Sequence, residues 1–108
     1  MEMFRLEGFE VYEAADGAEG LKEASENKPD LIIIDILLPK MDGLTLLSKI
    51  RRNSDWETIP IILLTNVEPN DRILAKITES HPSYYLTKAD TSMDEVLEKV
   101  NDVLGIDR

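Results

Sequence analysis

The chain has 108 residues, 43% of them hydrophobic, and no cysteine, which suffices for one domain around one core and excludes disulfides, thiolate metal sites and thiol catalysis. Twelve basic against 22 acidic residues give a formal charge of −10, a field that repels a phosphate backbone, so direct nucleic-acid binding is not expected. No apolar run approaches the roughly 18 residues of a membrane span. The opening MEMFRLEGFE has neither a basic n-region nor a cleavable apolar segment, so the expectation is a cytoplasmic protein with no membrane partner.

Taken in chain order, FEVYEA (Phe9 to Ala14) is rich in aromatic and β-branched residues and reads as a strand. Asp16-Gly17 then opens a helix with Ala18, Leu21 and Ala24 on its apolar side. LIIID (Leu31 to Asp35) is the next strand, and Asp42-Gly43 opens a helix carrying Leu44, Leu47 and Ile50. PIILLT (Pro60 to Thr65) is a third strand, followed from Asn70-Asp71 by a helix with Ile73, Leu74 and Ile77. YYLT (Tyr84 to Thr87) is the fourth. The last helix places Met93, Val96, Leu97, Val100, Val103 and Leu104 on one face, starts at a Ser92/Glu95 capping-box pattern and should stop at Gly105. Strands alternating with helices, with nearly continuous apolar strands, specify an α/β fold: a parallel sheet with helices on both faces. No repeat, low-complexity segment or linker divides the chain, so residues 1–108 read as a single domain.

In open parallel α/β sheets the functional groups gather at the carboxyl ends of the strands. Here consecutive strands end in Asp35, in Thr65 and, one residue past YYLT, in Lys88. Each alone has an ordinary explanation, as a loop cap or a solvated lysine. Together they put an acid, a hydroxyl and an amine on one rim. Such a trio suits transfer of a phosphoryl group to a carboxylate, the acid acting as nucleophile while hydroxyl and ammonium hold phosphate oxygens and Mg²⁺ offsets their charge.

These residues resemble the receiver domain of two-component response regulators, a flavodoxin-like family, over about Phe9 to Leu104. DILLPKMDG (Asp35 to Gly43) is similar to the family's phospho-acceptor segment, with Pro39 and Gly43 shaping the loop into the next helix, and EAADGAEGL (Glu13 to Leu21) to its second-strand-to-second-helix segment. The resemblance implies that Asp35 is the phospho-acceptor, that Asp35 and the Leu37 carbonyl ligate Mg²⁺, that Thr65 is the switch hydroxyl and Tyr85 the switch aromatic, and that Lys88 contacts the phosphate. It also implies a sensor histidine kinase as partner, and a signalling module rather than an enzyme.

Two departures stand out. Ala89 follows Lys88 where the family commonly has proline, often after a cis bond; a cis bond before Ala would cost ~2.5 to 4 kcal/mol, so trans is expected. The family also begins with a strand ending in a pair of metal-binding acids and then a full helix. A βαβ unit takes roughly 30 residues, and eight precede Phe9. The resemblance therefore implies a truncated receiver with four strands, four helices and a short N-terminal helical remnant, weak or absent Mg²⁺ binding and impaired phosphorylation. Glu7 and Glu10 lie at the wrong end of FEVYEA to replace the acids; Glu13 and Asp16 follow its far end in a loop, neither is expected to reach the metal, and Asp16 reads as a helix cap. With the family's strand order 2-1-3-4-5, the LIIID strand is left with an unpaired edge. Either FEVYEA slides inward onto it, or two chains complete each other as a dimer, the favoured outcome.

Two further functions are weighed: a phosphorylation-independent interaction or dimerisation module of receiver shape, and an aspartate-nucleophile hydrolase of the haloacid-dehalogenase type. The hydrolase ranks last, because its usual second Asp, two residues on, is Leu37 here. His81 reads as a loop residue, Trp56 as packing over a loop, and Lys49, Arg51 and Arg52 as a solvated basic patch.

Overall fold

The computed structural model describes residues 2–36, 43–68 and 70–106. Three strands, β1 (Ile32–Ile34), β2 (Ile61–Thr65) and β3 (Tyr84–Thr87), form a parallel sheet in the order β1-β2-β3. Ile32 pairs with Ile61, Ile34 with Leu63, Ile62 with Tyr84 and Thr65 with Thr87. Every residue of the central strand β2 is buried, as a strand covered on both faces requires.

Alternation along β2 sends successive side chains into two separate cores. Ile62 and Leu64 meet Phe4, from the short helix α1 (Glu2–Leu6), and Val96, Leu97 and Val100 of the last helix. Ile61 and Leu63 meet Leu46, Leu47 and Ile50 of α3 (Gly43–Arg52) on the other face, with Leu21 of α2 (Gly17–Asn27) and Ile77 of α4 (Asp71–Ser80) packed against them. Each such fully buried aliphatic side chain stabilises the fold by about 1.5 to 3 kcal/mol, so the sheet is fixed chiefly by β2 and what covers it.

The helix starts lie where the sequence marks them. Asp16 caps α2 by accepting from Glu19 N, and Asn70 caps α4 by accepting from Ile73 N. The helix α5 (Met93–Leu104) opens on the Ser92/Glu95 capping box and closes at Gly105, whose φ of 72° lies in the left-handed region. His81 closes α4: its N–H donates to the Ile77 carbonyl, and its φ of 50° is the left-handed conformation a helix C-terminus uses. Trp56 is half-buried against the α3 face of the core.

Three expectations need correction at the level of elements. Residues 9–14 form no strand, so the described sheet has three strands rather than four. Phe9 and Val11 pack against the α5 core and Phe9 stands edge-on to Phe4 at 5.9 Å. An open groove of about 1120 Å³ is lined by both the 9–14 segment and residues 31–35 of the β1 edge. A strand exists only through a paired neighbour, and across that groove FEVYEA has none; it has not slid inward onto β1. Second, Leu74 and Met93, placed on apolar helix faces by their spacing, are 51% and 39% exposed. Periodicity assigns a residue to a face, but Leu74 borders the buried stripe around Ile73, and Met93 opens its helix one turn before the residues that reach the sheet.

The third correction is Arg51, which is not part of a solvated patch. Its Nε donates to Ser80 O at 2.7 Å, and one guanidinium nitrogen reaches the carbonyls of Ile59 at 2.7 Å, Glu57 at 3.2 Å and Trp56 at 3.3 Å. The side chain thereby fastens α3 to the loop before β2 and to the end of α4. Partial burial pushes the guanidinium pKa below its ordinary value. Arg51→Ala is expected to cost about 2 to 3 kcal/mol, since hydrogen bonds to a charged group are lost together. Arg51→Lys should recover only part of this, because an ammonium lacks the planar fork. Urea denaturation of both variants measures it, and a loss under about 0.5 kcal/mol, typical of a surface site, would show that the clamp is unimportant.

Candidate functional site

Parallel strands deliver their carboxyl ends to one edge, and the candidate residues stand there. Asp35 follows β1 directly, Thr65 is the last residue of β2, and Lys88 begins a single 3₁₀ turn (Lys88–Asp90) after β3. Lys88 Nζ donates to Asp35 Oδ2 at 2.5 Å, a contact between residues 53 apart in sequence. The Asp35 side chain keeps 24% of its exposure and that of Lys88 45%. The carboxylate thus contacts the Lys88 ammonium and is still open to a reagent from solvent.

The start of α3 fixes the backbone beneath Asp35. Gly43 N donates to Ile36 O at 2.9 Å. A Cβ at position 43 would come within 2.6 Å of Ile36 Cα and closer still to the Asp35 carbonyl oxygen. The glycine is therefore required by close approach: the helix begins against the peptide that carries the acid.

Thr65 is fully buried, and its Oγ1 accepts from Val67 N at 3.3 Å. Tyr85 is half-buried, and its hydroxyl donates to Val67 O at 2.5 Å. Burial raises the phenol's pKa, and the negative charges of Glu68 and Asp35 add to it. The structure therefore brings Asp35 and Lys88 into contact, while Thr65 and Tyr85 converge on the loop after β2 through Val67. Leu37 and its carbonyl, like Pro39, lie outside the described residues. One contact has no forerunner in the sequence reading: Asn66 Oδ1 accepts from Ala89 N at 2.9 Å. The only signal for it is that alanine at 89, unlike proline, has an N–H to place. No peptide bond among the described residues is cis, as expected for Lys88-Ala89.

Over residues 1–101 the chain matches the family described as the response regulator receiver domain. The chain belongs to that family. The receiver is similar to the chemotaxis protein CheY4 of Vibrio cholerae, with a TM-score of 0.83 and 27% identity over 94% of this chain and 83% of that one. It is 35% identical over 100 residues to the DNA-binding dual master transcriptional regulator RpaA of a Synechocystis strain, a match covering 92% of this chain and 40% of the relative. It is also similar to the Mn(2+)-bound form of response regulator Rcp1, with a TM-score of 0.72 and 28% identity over 90% and 78% of the two chains. The receiver spans less than half the length of curated relatives such as RpaA. It has the flavodoxin-type fold of these neighbours and is the phosphoryl-accepting module of two-component signalling.

Receivers of this family bind Mg²⁺, and the described residues of this chain do not by themselves make such a site. Among them no three acids or histidines come together as a metal cluster. Asp16 is 8% exposed and occupied as the α2 cap, and Glu13 lies 3.4 Å from Arg5. Among the described residues Asp35 is the carboxylate in contact with Lys88, and Mg²⁺ usually takes one or two carboxylates together with waters.

Proposed function

We propose that Asp35 is the phospho-acceptor of this receiver, that a sensor histidine kinase is the donor, and that phosphorylation changes a partner-binding face. The observation that carries the reading is the Lys88–Asp35 contact at the carboxyl edge. In the transfer, an Asp35 carboxylate oxygen attacks phosphorus, the new O–P bond replaces the donor's N–P bond, and the electron pair returns to the imidazole nitrogen. Lys88 moves from the carboxylate to the phosphoryl oxygens, offsetting their charge. Thr65 accepts a hydrogen bond from Val67, which leaves its hydroxyl proton to donate to a phosphoryl oxygen. Drawing Thr65 toward the phosphate loosens Val67, and with it the anchor of Tyr85, so the signal leaves the site through the loop after β2.

Because no three acids among the described residues are grouped to hold Mg²⁺, the 108-residue chain takes up phosphate slowly. Incubation with a small phosphodonor and Mg²⁺, followed by intact mass, is expected to show slow gain of a single phosphoryl group that Asp35→Asn abolishes. Rapid, complete modification that Asp35→Asn abolishes would keep the site and remove the impairment. Modification that persists in Asp35→Asn would remove the site.

A second reading, an interaction module that works by self-association without phosphate, is favoured by the groove beside β1. Among the described residues β1 pairs only with β2, and an open strand edge invites pairing with another chain. The chain as a single cytoplasmic domain then forms a dimer through this edge. Its charge of −10 disfavours direct contact with nucleic acid. Sedimentation over a wide concentration range should show dimer; a well-folded monomer at high concentration would reject it.

A further inference from the structure

The segment that carries Lys88 is tied on both sides of the lysine to consecutive residues of the neighbouring loop. Three residues before it, Tyr85 donates its hydroxyl to Val67 O at 2.5 Å; one residue after it, Ala89 donates its N–H to Asn66 Oδ1 at 2.9 Å. Residues 66 and 67 themselves follow Thr65 without a break, and Thr65 Oγ1 holds Val67 N. We propose that Asn66 is a positioning residue, a latch that holds the backbone at Ala89 and so sets the reach of the Lys88 ammonium toward Asp35 and couples it to Thr65.

A four-carbon stem ending in a freely rotating ammonium has no preferred direction of its own, so what places the charge is the root of the side chain. In this chain that root sits at the start of a single 3₁₀ turn with no side-chain cap of its own. Such a turn is held by few internal bonds. The tie at Ala89 is thus the nearest fixed point on its far side, as Tyr85 is on the near side. The pairing is chemical as well as spatial. Proline at 89 would offer no N–H and leave the Asn66 amide nothing to hold, whereas alanine supplies the donor and Asn66 the acceptor. Because Asn66 is the residue next to Thr65, any movement of the Thr65 hydroxyl toward a phosphoryl group is passed to the backbone beside Lys88. Hydroxyl and ammonium then close on the phosphate together.

This inference rests on Asp35 as the acceptor, and the test separates the two. Phosphorylation by acetyl phosphate with Mg²⁺ is followed by intact mass in the parent chain, Asn66→Ala, Ala89→Pro and the double variant. Asn66→Ala should slow modification of Asp35 about tenfold, a modest share of what misplacing a catalytic group can cost. In the Ala89→Pro background the same change should have no further effect, because the N–H it serves is gone. Equal rates in parent and Asn66→Ala, or the same loss in both backgrounds, would overturn the latch. If the parent takes up no phosphate, the acceptor reading falls, and the latch is decided by nuclear magnetic resonance on the same variants. Faster amide exchange at Ala89 in Asn66→Ala, with a shifted Lys88 ζ-nitrogen signal, supports it; either one unchanged overturns it.

Discussion

Gly43→Ala is expected to cost about 2 to 4 kcal/mol of stability. In the interior of an ordinary helix the same change stabilises by roughly 0.5 to 1 kcal/mol, because glycine gives up more backbone freedom on folding. The sign reverses here because the added methyl would meet backbone, the Ile36 Cα at 2.6 Å and the Asp35 carbonyl, and neither can swing aside as a side-chain end could. Relief requires α3 to back away, which breaks the Gly43 N to Ile36 O bond and unseats Leu44 and Leu47, both nearly inaccessible to solvent. Asp35 would move with its peptide, so slower phosphoryl uptake should accompany the lost stability. Urea denaturation measures the first effect, and a variant as stable as the parent would show that α3 does not bear on Asp35 in this way.

Lys88→Ala should separate stability from chemistry. The Lys88 side chain is 45% exposed, and an ion pair so open to solvent contributes at most about 1 kcal/mol. The rate of phosphoryl uptake, in contrast, should fall by about a hundredfold or more, the usual result of deleting a preorganised group aimed at charge that develops in the transition state. Only the second effect depends on where the ammonium points. Single-turnover uptake from a small phosphodonor, set beside a denaturation curve, reports both. A stability loss with the rate unchanged would make Lys88 a structural cation.

The parts of this fold legible in the sequence are those encoded by neighbours along the chain. Asp16 and the Ser92/Glu95 pair mark helix starts, Gly105 marks a stop, and β1, β2 and β3 lie inside the apolar runs that suggested them. The rim is legible for a related reason: once parallel strands are assigned, their last residues must share an edge, and Asp35 and Lys88 duly meet. What failed depended on partners far off in sequence. FEVYEA has strand-forming side chains, but pairing is decided by whether another strand lies alongside, and a groove lies there instead. Arg51 sits in a basic trio that looks solvated, and only the fold brings the carbonyls of Ile59 and Ser80 to it. Asn66 is an ordinary loop residue until Ala89, 23 positions later, is placed beside it.

Borohydride trapping decides whether phosphate is carried on the Asp35 carboxylate. An acyl phosphate is reduced to the alcohol, which converts a phosphorylated aspartate to homoserine, whereas a free carboxylate is untouched. The chain is treated with acetyl phosphate and Mg²⁺, reduced, digested and sequenced by mass spectrometry. The prediction is homoserine at position 35, dependent on the phosphodonor, with every other aspartate unchanged. Homoserine at another position, with aspartate intact at 35, would contradict it.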